Sequence, residues 1–113
     1  MSEAEKELIK STLRGIIRVI LLWLLSRQKM SGYAVTKEVK RLTGRTFHSG
    51  IIYPLLYELE EKGLITGEWV KKGRKQIKYY YLTENGKNLL NSLRELFKMP
   101  IKEVLKDLIG EEL

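Results

Sequence analysis

The sequence has no cysteine and a single histidine, His48. A disulfide framework and a thiolate zinc site are therefore excluded, and one imidazole cannot build a histidine metal centre. No metal or other cofactor is expected. The sets needed for acid–base or nucleophilic catalysis are missing too, because there is no phosphate-cradling glycine loop and no evident pair of carboxylates in a cleft. The chain is not expected to be an enzyme. A membrane-spanning run is also lacking: in residues 16–25, IIRVILLWLL, Arg18 interrupts the apolar stretch, and Arg27 closes it well short of the ~20 residues a span requires. Nothing marks the chain as secreted, so a cytoplasmic protein without a membrane partner is expected.

What is present describes one folded domain with a modest core: 113 residues, 43% hydrophobic and 31% charged. The net charge of +7 is unevenly spread. Residues 1–10 hold two Lys/Arg against three Asp/Glu, residues 11–83 hold fourteen against five, and residues 84–113 hold five against six. A positive body between near-neutral ends fits a surface that meets a polyanion, and nucleic acid is the leading partner.

Residues 2–10 begin with a cap-like serine and an acidic first turn, and either run into the next helix or fray. From Ser11 to about Gln28, Leu13, Ile16, Ile17, Ile20, Leu21 and Leu24 form a helical face that Val19, Leu22, Trp23 and Leu25 extend nearly around the cylinder. So apolar a helix needs cover on two sides, and in a small domain the second cover is another subunit. Ser31 is the expected N-cap of a helix over about residues 32–42, with Lys37, Lys40 and Arg41 outward and Gly44 as terminator. Ser49 is expected to cap a third helix, with Pro54 near its first turn and Gly63 as its stop. On that helix Ile52, Leu56 and Leu59 face inward, leaving Ser49, Ile51, Tyr53 and Tyr57 outward.

Glu68–Lys72 and Ile77–Thr83 read as a two-stranded hairpin around a basic tip, Gly73-Arg74-Lys75-Gln76. Strand alternation sends Tyr80 to the face opposite Tyr79 and Tyr81, placing at least one tyrosine in the core. A further helix rests on Leu89, Leu90, Leu93, Leu96 and Phe97. Pro100 breaks or bends it, and Ile101, Val104, Leu105, Leu108 and Ile109 continue at helical spacing to about Gly110. The fold class expected is mainly α with a small β-hairpin: three helices and a ribbon, the outline of a winged helix-turn-helix, plus a C-terminal dimerisation helix. Residues 1–113 form a single domain, with the winged core in 11–83 and a helical segment, 84–113, pairing with helix 11–28.

Three stretches sharpen this outline. Ser31-Gly32-Tyr33 opens the second helix; Gly50-Ile51-Ile52-Tyr53-Pro54 is followed by Leu56, Leu59, Glu60, Gly63, Leu64 and Ile65; Lys78-Tyr79-Tyr80-Tyr81-Leu82-Thr83 is followed by Gly86. Together and in this order they resemble the PadR-like family of winged-helix transcriptional regulators, over nearly all of residues 13–97. The resemblance implies a homodimeric repressor of double-stranded DNA, with its third helix in the major groove and its wing near the adjacent backbone or minor groove. Two positions depart from the family pattern. Position 51, commonly small and polar, is Ile, and position 57, commonly basic, is Tyr. Arg, Asn and Gln are thus missing from the outward face, so base specificity is expected to be modest or carried by shape.

The expected DNA contacts are Ser49, Ile51, Tyr53 and Tyr57 on the third helix, with Arg45, Thr46 and His48 on its approach. Lys71, Lys72, Arg74 and Lys75 serve the wing, and Tyr33 and Lys37 the second helix. Dimerisation is expected through Leu13 and Ile17 with Leu93, Leu96, Phe97, Ile101, Val104, Leu105 and Leu108. Trp23 and Trp69 invite a ligand pocket, since some family members bind flat compounds between subunits. Trp23 is the better candidate for a small-molecule effector, against the plainer reading of dimer or core packing. Glu60 and Glu61 read as outer-face charges. The alternative function is an architectural or weakly specific DNA-coating protein, or a protein-interaction module.

Overall fold

The computed structural model describes residues 1–47 and 49–110, Ser49 by its backbone alone. Its helices are α1 Glu3–Arg27, α2 Gly32–Thr43, α3 Ser49–Glu61, α4 Glu84–Lys98 and α5 Ile101–Leu108. Its strands are β1 Met30–Ser31, β2 Ile65–Lys72 and β3 Lys75–Leu82.

The first segment runs on into the first helix: α1 is one unbroken helix of 25 residues. The Ser2 hydroxyl accepts from the Glu5 N–H at 3.1 Å, and Glu3 and Glu5 lie where the helix dipole favours negative charge. Only the second half of α1 is buried, at Ile17, Leu21, Leu22, Leu24 and Leu25. Ser31 caps α2 by accepting from Ala34, and Gly44 at φ 69° ends it, both as expected.

At α3 the boundaries shift. Ser49 is the first helical residue rather than the cap, and the preceding His48 lies outside the described residues. Pro54 is therefore sixth in the helix, one residue deeper than a Ser49 cap would place it and in the second turn rather than near the first. It has no N–H for the Gly50 carbonyl four residues back, and Gly50 is exposed, so solvent can satisfy that acceptor. The far end closes as a Schellman turn. Gly63, at φ 74°, donates to the Glu60 carbonyl at 3.0 Å, and Leu64 donates to the Leu59 carbonyl at 2.9 Å.

The expected two-stranded hairpin is instead a three-stranded antiparallel sheet in the order β1-β3-β2. The added strand is two residues long, pairing Met30 with Tyr80 and Ser31 with Tyr79. Too short to show a period, it was invisible to pattern reading. The β2–β3 register runs from Ile65↔Leu82 to Lys72↔Lys75, so the tip is Gly73-Arg74 alone, and Lys75 and Gln76 belong to β3. Gly73 takes φ 63° at the first turn position, which a two-residue hairpin with the type II′ twist demands.

These elements enclose one aliphatic cluster. Ile17, Leu21, Val35, Val39, Ile52, Leu56 and Ile65 are fully buried at its centre, and Leu55, Leu59, Leu82 and Leu90 are among the residues packed around them. Tyr80 is the tyrosine that alternation sends inward, at 2% exposure. Ile17 is 1% exposed within the chain, so it serves this core and is not available to a second copy, contrary to its expected role in dimerisation. Leu13 and Leu93 are half-buried against the same cluster.

Thr83 ties α3, the sheet and α4 together. Its hydroxyl accepts from Gly86, capping α4, and donates to the Gly63 carbonyl at 2.6 Å, while its N–H donates to the Leu64 carbonyl at 3.1 Å. Gly86 packs so close that an added Cβ would overlap the Leu64 carbonyl oxygen, a backbone atom with no freedom to yield. Gly86→Ala should therefore lower unfolding stability by ~1–3 kcal/mol or more. Gly15→Ala, at an open position inside α1, should raise it by ~0.5–1 kcal/mol. Urea denaturation of the two variants checks both signs.

Candidate nucleic-acid interface

A helix advances about 100° per residue, so α3 divides into faces. Ile52, Leu55, Leu56 and Leu59 fill its floor at 5% exposure or less. The expected inner face lacked Leu55, which lies on the side nearer α1. Opposite the floor, Gly50, Pro54, Tyr57 and Glu61 form the exposed strip. Between strip and floor lie two flanks, Ile51 and Glu58 on one, Tyr53 and Glu60 on the other.

Each flank is anchored by an ion pair. On the α1 side, Arg18 grips Glu58 with both prongs, Nε to Oε2 at 2.6 Å and Nη2 to Oε1 at 3.1 Å. On the wing side, Lys78 Nζ donates to Glu60 Oε1 at 2.8 Å. Glu60 is thus a half-buried anchor rather than the outer-face charge expected, whereas Glu61 is exposed as expected. Ile51 also departs from expectation. It is half-buried against the core and shares a groove with Leu13, Ile17 and Phe47, so it does not project outward. The Arg18 guanidinium holds the Glu58 carboxyl below its ordinary range, and the bond to Glu60 holds the Lys78 ammonium above its own.

Tyr53 packs directly against the start of α2: a Cβ added to Gly32 would be 2.5 Å from its Cε1. Its ring centroid is 6.2 Å from that of Tyr57, at an interplanar tilt of 47°. The two tyrosines form one wall of a cleft of about 490 Å³ between α3 and the wing, lined also by Tyr33, Trp69, Lys75 and Lys78. Trp69 and Lys78 were not among the expected DNA contacts. Their cross-strand pairing places them together, a signal that needed the hairpin register to be seen. Lys37 reaches over the exposed Tyr33 ring at 5.5 Å.

The remaining candidates fall into groups. Lys71, Lys72, Arg74 and Lys75 are exposed around the hairpin tip and have no carboxylate partner among the described residues. Arg45 and Thr46 are exposed on the α2–α3 connection, with the Arg45 guanidinium 5.9 Å from the Phe47 ring centre. Ser49 sits at the start of α3, and His48 lies outside the described residues. Away from this surface, Leu96, Phe97, Ile101, Val104, Leu105 and Leu108 are exposed along α4 and α5. Trp23, under the Arg27 guanidinium at 5.0 Å, opens with Ile20, Leu93 and Phe97 onto a groove of about 370 Å³.

Residues 21–92 match the Transcriptional regulator PadR-like family. The chain belongs to this family. Among its relatives, Transcriptional regulator YqjI of Escherichia coli (strain K12) is 38% identical over 94 residues, covering 81% of this chain and 44% of that protein. A PadR family regulator from Eggerthella lenta superposes with a TM-score of 0.73 at 29% identity, over 95% of this chain and 97% of that one. Bacillus subtilis PadR, solved in complex with operator DNA, superposes with a TM-score of 0.63 at 32% identity, over 69% of this chain and 46% of that one. This PadR-like chain spans about half the length of the curated relatives it matches, 44% of the E. coli protein and 52% of B. subtilis PadR.

In the PadR-like fold seen here, the Arg18–Glu58 pair is about one-third exposed, so screening limits it to about 1 kcal/mol or less. Its folded-state Glu58 value lies below the unfolded one. The contribution is therefore complete above the ordinary glutamate range and is lost as pH falls through the folded value. Glu58→Gln should be slightly less stable than the parent at neutral pH, with the gap closing in acid. Chemical denaturation across that pH range measures it.

Proposed function

We propose that this PadR-like protein is a homodimeric, sequence-specific regulator of transcription that acts as a repressor in the cytoplasm by occupying duplex DNA. The observation that carries the reading is the superposition on B. subtilis PadR, a structure that holds operator DNA. The exposed strip of α3 supports it, as do the four wing cations beside it. In this reading α3 lies in the major groove, where Tyr57 and Glu61 face base edges and Glu61 offers an acceptor to a cytosine amine. Tyr53, Ser49, Thr46 and Tyr33 donate to phosphate oxygens, and Arg45, Lys37 and the wing supply charge. The exposed apolar stripe of α4 and α5 pairs with a second copy, against the open face of α1. Trp23 is the candidate contact for a small-molecule effector.

A second reading has its own support. Gly50 and Pro54 give half of the α3 strip no hydrogen-bonding side chain, which suits a protein that coats DNA with little base choice. Competition separates the two: a regulator should prefer its site over bulk DNA by ~10³-fold or more, and a coating protein should show mainly a salt-dependent affinity. For the regulator, Tyr53→Ala with Arg74→Ala should abolish a promoter footprint. Alanine at all four wing cations should reduce the slope of log affinity against log salt by ~3–4. Sedimentation at micromolar concentration should give a dimer, and a compact monomer would remove that part of the proposal.

A further inference from the structure

Along α1, Lys6, Lys10, Arg14 and Arg18 follow one another at intervals of four, a spacing that sets neighbouring members one turn apart on a ridge that winds slowly around the helix. The ridge ends at the recognition helix, where Arg18 grips Glu58. Glu3 and Glu7 temper its outer end, and Lys6 lies 3.5 Å from Glu3, so the open positive stretch begins at Lys10. Lys10 and Arg14 are exposed and have no carboxylate partner among the described residues. Together with Lys6 they line one wall of a groove of about 510 Å³ whose other wall holds Arg45, Thr46 and Ile51.

Ile51 and Glu58 define the flank of α3 that faces α1, just as Tyr53 and Glu60 define the flank that faces the wing. The exposed strip of α3 is therefore bordered by open cations on both sides, Lys10, Arg14 and Arg45 on one and the wing on the other. A major groove about 12 Å wide has a phosphate backbone along each edge. We infer that Lys10 and Arg14, with Arg45, form a second phosphate-contacting surface, which meets the backbone on the α1 side of α3 while the wing meets the other. The inference rests on the DNA-binding reading above.

The competing occupant is α5 of a second copy, which would bring Glu103 and Asp107 along its apolar stripe. Lys102 and Lys106 lie on the same short helix and cancel that charge, whereas duplex DNA presents one phosphate per ~1.7 Å of axis. The uncompensated cations favour DNA.

The test uses the whole chain and a labelled mixed-sequence duplex about 30 base pairs long, roughly three helical turns. Binding is titrated over a series of salt concentrations for the parent, for Lys10→Ala/Arg14→Ala, and for the wing variant with alanine at Lys71, Lys72, Arg74 and Lys75. Both α1 side chains are exposed, so folding should be unaffected, and thermal melting checks this. If the inference holds, the α1 variant loses about two from the salt slope and roughly tenfold or more in affinity at low salt, with unchanged sedimentation. If the wing variant weakens binding while the α1 variant matches the parent, the inference fails and the DNA-binding reading stands. Loss of self-association in the α1 variant would assign the groove to the second copy and also overturn it. A parent that does not bind the duplex at any salt concentration removes the DNA-binding reading and the inference with it.

Discussion

The rotation of α3 about its own axis is the constraint on which the rest of the structure depends. Four aliphatic side chains fix it coarsely, since burying Ile52, Leu55, Leu56 and Leu59 is worth ~1.5–3 kcal/mol each, before the entropy cost of ordering them. Two ion pairs then fix it finely from opposite sides, Arg18–Glu58 and Lys78–Glu60. Each is partly exposed and contributes little free energy, so their effect is geometric. Any substantial turn of α3 about its axis would break one pair and lift an aliphatic side chain out of the core. The strip from Gly50 to Glu61, with Tyr53 on the cleft beside it, is left to face a partner.

The same helix is held at its end by the chain that follows it. The Schellman turn at Gly63 delivers Leu64 to the sheet, and Thr83 bonds back to both residues as it starts α4. Gly86 allows α4 to approach the Leu64 carbonyl. The exposed α4–α5 stripe is therefore coupled to the proposed DNA-contacting helix through two residues of backbone, with no flexible linker between them. A second copy gripping that stripe would fix the spacing of two recognition helices.

Much of the fold was legible in the sequence because local chemistry settles it. Ser31 and Gly44 bracket α2, Gly63 stops α3, and Pro100 separates α4 from α5, each through a backbone requirement that neighbouring residues do not alter. The candidate surface was legible in part. Lys71, Lys72 and Arg74 stand where the hairpin pattern placed them and Lys75 moves from the tip into β3, while Ile51 turned out to be half-buried and Ile17 wholly so. Both isoleucine errors have one cause: periodicity shows that a helix has an apolar face but not how wide that face is, and width depends on what packs alongside. The run from Glu3 to Arg27 covers Ile51 from a distance of about forty residues, and no local pattern reports this.

By itself, the sequence determined the order of elements, their caps and stops, the positive field of the central body, and membership of the PadR-like family. These are properties of single residues, short spacings and summed charge. Only the tertiary structure decided which side of α3 is open, that Met30 and Ser31 add a third strand, and that Glu58 and Glu60 are anchors rather than solvated charges. It also brought Lys10 and Arg14 beside Arg45. Those outcomes depend on contacts between residues far apart in the chain, whose geometry exists only once the apolar floor of α3 has been buried.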